Sequence, residues 1–173
     1  MKFKLWDYHV HSKYCRHAIG NIEDYIKAAI YQNLDEIGIS EHNPFELMPI
    51  SKNVPREDYA MPMKELSNYF FELESLKEKY KDEIAVKIGM EMDYFAWNID
   101  EIKNFIKENS KKFDYLIGSI HIIHDEKIGY FPVDDKKYDM YKIIGVDNVF
   151  ENYLSQLEGL VKSDLYDIVG HLD

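Results

Sequence analysis

Apolar positions along this chain fall into two alternating kinds of pattern, short runs of four to seven residues and longer stretches in which they recur every three or four. Residues 3–9 (FKLWDYH) predict a strand. A helix follows, with Asn21 as its N-cap, Glu23 and Asp24 in its first turn and an end near Asn33. Residues 36–40 (EIGIS) predict a second strand, and Pro44, Pro49 and Pro55 punctuate the polar loop after it. Leu66, Phe70, Leu73 and Leu76 are spaced for one face of a long helix from Pro62 to about Lys81. The alternation continues with strands at 84–90, 115–120 and 167–169 and helices at 99–109 and 149–161. Five strands alternating with helices predict an α/β fold whose sheet is parallel and whose crossovers are right-handed.

Alternation alone fits both an open doubly wound sheet and a barrel. The polar residues at the strand ends favour the barrel. His9 and His11 follow the first predicted strand, His42 the second, Glu91 the third, His121 the fourth and His171 the fifth. A barrel brings those ends to one mouth, whereas an open sheet strings them along a line. No internal repeat, low-complexity segment or composition shift divides the chain, so a single domain over residues 1–173 is expected.

The strand-end residues have the chemistry of metal ligands. His9 and His11 are two apart, which on an extended strand puts both imidazoles on one side. An HxH pair alone fits surface or core histidines as well. His17 in the next loop, His42, His121 and His171 add to it, because this many imidazoles placed alike are hard to explain without metal. Glu91 lies in KIGMEMDYF, where a carboxylate could bridge two cations; the plainer alternative is a solvated strand-end residue. His124 is expected to face solvent. Asp7 either accepts a proton from a ligating imidazole or caps the strand end. Arg16 is a candidate phosphate contact, Glu41 and Asn43 flank His42 and could meet substrate or orient a ligand, and Cys15 is expected to be a small buried packing residue. Imidazole is a borderline ligand that suits zinc, iron, manganese or nickel, so the metal is left open.

Composition narrows the partners. The formal charge is -11 with only Arg16 and Arg56 as arginines, the opposite of what a phosphate backbone attracts, so no nucleic acid is expected. An anionic substrate would then have its charge met by bound cations. No run approaches the length needed to span a bilayer, no signal-peptide core opens the chain, and the lone Cys15 allows no internal disulfide. A cytoplasmic protein with no membrane partner is expected, its oligomeric state open.

Five segments, DYHVHSKYCRHA, GISEHNPF, IGMEMDY, DYLIGSIHII and DIVGHLD, occur in an order and spacing that resemble the PHP (polymerase and histidinol phosphatase) superfamily, and within it the monofunctional histidinol-phosphatases. The resemblance implies a distorted TIM-like (β/α)7 barrel of which this chain supplies the first five strands. It also implies a site of two or three divalent ions (zinc, iron or manganese). His9, His11 and Glu91 would hold one ion, His17 and His42 a second, and Glu91, His121 and His171 a third. Apart from the resemblance, Glu91 and His42 are the candidate catalytic residues, and Arg16 and Asn43 the candidate substrate contacts, an exposed loop arginine being the plainer alternative for Arg16. The implied activity is hydrolysis of L-histidinol phosphate, a small phosphorylated metabolite of histidine biosynthesis, by a metal-bound hydroxide. Other phosphoesterase activity, on nucleotides or phosphotyrosine, and a non-catalytic metal-binding module are the alternatives. The family's last motif, an aspartate and a histidine two apart near the end of a longer chain, has no counterpart here, and Asp173 is not assigned to it. The sequence is therefore expected to be an N-terminal portion, catalytically impaired by itself.

Overall fold

The computed structural model describes residues 3–134 and 139–172; Asp173 and most of the polar part of FPVDDKKYD lie outside the described residues. Five parallel strands form the main sheet: β1 (Trp6–Val10), β2 (Glu36–Ile39), β3 (Ala85–Asp93), β4 (Tyr115–Ser119) and β7 (Ile168–Val169). Their order across the sheet is their order along the chain. A doubly wound sheet reverses direction at a switch point, whereas unbroken sequential order carries the chain around a barrel axis.

Helices α1 (Ile22–Tyr31), α3 (Leu66–Lys79), α4 (Ile99–Asn109) and α6 (Val146–Ser163) occupy the crossovers, joined by the short α2 (Arg56–Tyr59) and α5 (Asp139–Ile144). α1 starts where its N-cap predicts: the Asp24 carboxylate accepts the Asn21 backbone N–H at 3.0 Å. The outward residues of β3, Val86, Ile88, Met90 and Met92, are buried in one core with Ile26 of α1 and Tyr69, Leu73 and Leu76 of α3. The alternate, inward positions are Lys87, Gly89, Glu91 and Asp93, of which the last three are buried, so β3 is covered on both faces while keeping polar residues on the inner one.

The sheet is curled, and Tyr115 shows by how much. Its hydroxyl, on the fourth strand, donates to the Tyr8 carbonyl on the first at 2.6 Å. Three strand spacings of a flat sheet are about 14 Å, too far for one phenol to bridge. The ring passes over Gly38 and Gly89, where a Cβ would stand 2.3 and 2.2 Å from Tyr115 atoms, so only glycine leaves it room. The five strands thus make a curled half-barrel with a tyrosine laid across its floor.

Three boundaries depart from expectation. β1 begins at Trp6 instead of residue 3, and the long helix opens with a 3-10 turn at Met63–Glu65. β3 continues to Asp93, three residues past its predicted end, because pairing with β4 persists to Asp93 opposite Ser119. Glu91 therefore lies within a strand and not after it. Between β4 and α5 the chain forms an unpredicted antiparallel hairpin, β5 (Ile122–Asp125) and β6 (Gly129–Pro132).

Candidate metal centre

Every strand of the main sheet delivers polar residues to one end of the half-barrel. β1 does so with the help of a bulge: Asp7 pairs with Ile37, but Val10 pairs with Ile39, one residue out of step. A bulge breaks the in-out alternation. Consecutive residues can then both turn inward, so Tyr8 packs by Gly38 on the floor while His9 Nε2 stands 3.0 Å from Glu91 Oε2 at the mouth. His11 Nε2 reaches the same oxygen at 3.1 Å. Beyond β2, His42 forms an isolated parallel bridge with Glu91 and brings its Nδ1 to 3.3 Å from Oε2. The other carboxylate oxygen, Oε1, accepts the Ser119 hydroxyl at 2.7 Å and has His121 Nε2 at 3.3 Å and His171 Nε2 at 3.4 Å.

Six imidazoles close a ring around Glu91. Taken in order 9, 11, 17, 42, 121, 171 and back to 9, neighbouring ring centroids are 5.1, 5.6, 5.2, 4.9, 5.0 and 5.7 Å apart. The seventh histidine, His124, is outside the ring and exposed, against Tyr130. Ligand atoms of His9, Glu91 and His171, and of His42, Glu91 and His121, lie within 4.8 Å of one another, as do those of His11, Cys15 and His42. These groups cut across the partition that the resemblance implies.

The donor set fits divalent cations. Glu91 is fully buried, yet its Oε2 has no aligned hydrogen bond despite three imidazole nitrogens nearby, and His42 Nδ1 is likewise unpartnered. Lone pairs that crowd one point without sharing protons are arranged as ligands are. The protonation tendencies divide around the ring: burial disfavours a charged His121, but Asp93 and Glu91 outweigh it and push the group well above its usual value, and the hydrogen bond to Glu91 raises His171. Burial disfavours the Glu91 carboxylate, but the surrounding imidazoles, His11 first, outweigh it and hold the group far below the ordinary carboxylate range. Burial pushes His42 well below its usual value, keeping it a neutral ligand.

Further residues orient the ring. Asp93, two past Glu91 and on the same face of β3, holds His121 Nδ1 at 2.9 Å. His17 Nδ1 faces the Cys15 carbonyl at 2.9 Å, so it must carry the proton, leaving Nε2 bare. Asp93 was legible in EMD by strand periodicity; ending the strand at residue 90 hid it. Cys15 is fully buried, as expected. Asp7 takes the strand-end role, its carboxylate accepting the His9 backbone N–H at 3.1 Å.

The ring floors a cavity of about 900 Å³ whose walls include Met48, Val54, Arg56, Asp58, Tyr59 and Asp134. Arg16 is not among its lining residues: it sits at a φ of 66° and pairs with Glu65 at 2.7 Å. Arg56 is the arginine that lines the cavity, its guanidinium resting over Phe45. Asn43 is buried as a brace, its amide oxygen accepting the Asp93 N–H at 2.8 Å.

The PHP domain model matches residues 7–173. A histidinol-phosphatase from Lactococcus lactis is 31% identical over 170 residues, which are 98% of this chain and 57% of that one. The histidinol-phosphatase of Bacillus subtilis is 26% identical over 165 residues, 92% of this chain and 60% of that enzyme. Among solved structures, histidinol phosphate phosphatase from Lactococcus lactis, complexed with zinc, L-histidinol and phosphate, superposes with a TM-score of 0.73 at 27% identity, covering 98% of this chain and 58% of that one. The chain thus spans less than two thirds of the length of the relatives it matches.

Proposed function

Because this chain belongs to the PHP domain family, we propose that it carries the metal-holding part of a phosphomonoesterase that converts L-histidinol phosphate to L-histidinol and phosphate in histidine biosynthesis. The observation that carries this is the closed ring of six imidazoles around the buried Glu91. His9, His11, His17, His42, Glu91, His121 and His171 would hold two or three divalent cations, zinc, iron or manganese. When bound, such cations lower the pKa of water and neutralise charge gathering on a phosphoryl group.

The chain's own residues supply orientation and charge. Glu91 offers one oxygen to each side of the ring, so a single carboxylate can serve two cations. Asp93 and the Cys15 carbonyl hold the protons of His121 and His17 on the nitrogens that face away from the centre. Arg56 is better placed than Arg16 to meet phosphate from the cavity wall, and Asn43 acts by bracing the Glu91 strand. Asp58 and Asp134 on the same wall suit the cationic amine end of histidinol phosphate and oppose the second negative groups of nucleotides. The names of the relatives, and the histidinol and phosphate in the Lactococcus lactis complex, support the substrate. Among the described residues no helix is long and apolar enough to cross a membrane, and a lone thiol beside the centre suits the reducing cytoplasm.

Phosphate release from histidinol phosphate, a nucleoside monophosphate and phosphotyrosine, measured after loading with each candidate metal, tests the proposal. The highest kcat/KM is expected on histidinol phosphate. A flat profile would favour a general phosphoesterase, and tight metal binding without turnover a binding module.

A further inference from the structure

We propose that Ser51 is a positioning residue for substrate choice: by joining the segment after β2 to the β5–β6 hairpin it sets the gap between Asp58 and Asp134, the two carboxylates that would hold the cationic amine end of the substrate. This rests on the reading of the cavity as a histidinol phosphate site. That the cavity takes a ligand stands on separate grounds, since its floor includes Glu91 Oε2 and His42 Nδ1, both buried and without an aligned partner. Its outer wall comes in two pieces. Val54, Asp58 and Tyr59 belong to the segment after β2, and Ile122, Pro132 and Asp134 to the hairpin and its exit. Both carboxylates are exposed, and among the described residues neither pairs with a cationic side chain.

One exposed carboxylate attracts an ammonium group weakly. Two that face the same cleft act together, but the attraction falls with distance, so it depends on how far apart the two pieces of wall stand. Ser51 joins them. Its hydroxyl donates to the Tyr130 carbonyl of β6 at 3.0 Å and accepts the Asn53 backbone N–H at 3.3 Å. Asn53 adds a longer bond, from Nδ2 to the Ile128 carbonyl at 3.4 Å. From Ser51 the bonds run on toward the first carboxylate: the Val54 N–H donates to the Ser51 carbonyl at 3.2 Å, and the Asp58 N–H to the Pro55 carbonyl at 2.9 Å. On the hairpin side the residue before Asp134 is pinned, the Val133 N–H donating to the His121 carbonyl at 2.7 Å. Each piece is thus tied down by main-chain bonds next to its carboxylate, and the Ser51 hydroxyl stands between the two.

The test measures, by isothermal titration calorimetry on the zinc-loaded chain, the affinities for L-histidinol and for imidazolepropanol, the same molecule without its amine. The ratio of the two reads the amine contact alone. Wild type should prefer histidinol about tenfold. Asp58→Asn and Asp134→Asn should each shrink that preference. Ser51→Ala, which removes no group that meets either ligand, should shrink it at least about threefold by letting the carboxylates drift apart, and Asn53→Ala should act in the same direction more weakly. Ser51→Thr keeps the hydroxyl and should stay near wild type. A general loosening of the fold would weaken both ligands alike and leave their ratio unchanged. An unchanged ratio in Ser51→Ala therefore overturns the proposal, as does a wild type indifferent to the amine. No binding of histidinol removes the substrate reading together with the proposal, whereas a preference for histidinol that is equal in wild type and Ser51→Ala removes the proposal alone.

Discussion

Glu91 has to be ionised while wholly buried, and the imidazoles around it together with the Ser119 hydroxyl make that tolerable. Replacing it with glutamine keeps the shape but removes the charge that two cations would share. Glu91→Gln is expected to remain folded, to bind metal at least about 100-fold more weakly and to lose phosphate release in proportion, as an amide is a poor ligand for hard or borderline cations. Metal analysis after dialysis, with circular dichroism as the fold check, measures this. Turnover near wild type would take Glu91 out of its role. At this scale the sequence was informative about residue type and much less so about direction. Arg16 and Arg56 are indistinguishable as letters, and only the left-handed backbone at Arg16 turns one toward Glu65 while the other lines the cavity.

Among the elements, β1 to β4 are held in a curve by the Tyr115 ring, and the curve is what lets strands that are not neighbours feed one site. Gly89→Ala in β3 would place a Cβ 2.2 Å from the ring. The ring must then shift and its hydrogen bond to Tyr8 is lost, for a combined cost of about 2–4 kcal/mol. Tyr115→Phe, which loses the hydrogen bond alone, should cost about 1 kcal/mol. Urea midpoints at constant m-value separate the two. If Gly89→Ala unfolds at the wild-type midpoint, the ring is not a strut. Strand and helix types were legible because the crossover helices have one apolar face and the strands are short segments rich in apolar residues between turn signals. The β5–β6 hairpin escaped because IIHDEKIGYF continues the apolar signal of β4, and hairpin and crossover are separated only by which strand the chain then meets.

For the whole molecule, metal and fold should be linked: cations that bind only where six imidazoles converge would stabilise the state that brings them together. Zinc at about 100 times its dissociation constant adds about 2.7 kcal/mol, a rise in Tm of about 5–11 °C for a chain of this size. Differential scanning calorimetry with zinc and then with a chelator measures it, and a Tm indifferent to both would sever the link. The same half-barrel leaves β1 and β7 paired on one side only among the described residues. Exposed apolar groups gather near each, Phe3, Leu5 and Trp6 by β1 and Phe150, Leu154 and Val169 on the α6–β7 side.

What this sequence determined by itself is the inventory and its order: five strand segments, the helices between them, histidines near the strand ends and a glutamate in the third strand segment, because periodicity and residue chemistry are local properties of a chain. Which residues touch is a property of closure. The bulge in β1 that turns both Tyr8 and His9 inward, the extension of β3 that gives Asp93 to His121, and the burial of Glu41 against Ser12 and Cys15 all depend on partners at least twenty-six residues away. No window on the sequence contains those partners. The imidazoles were therefore legible as candidate ligands, and the shape of their ring was decided only when the sheet curled far enough to bring His171 back to His9.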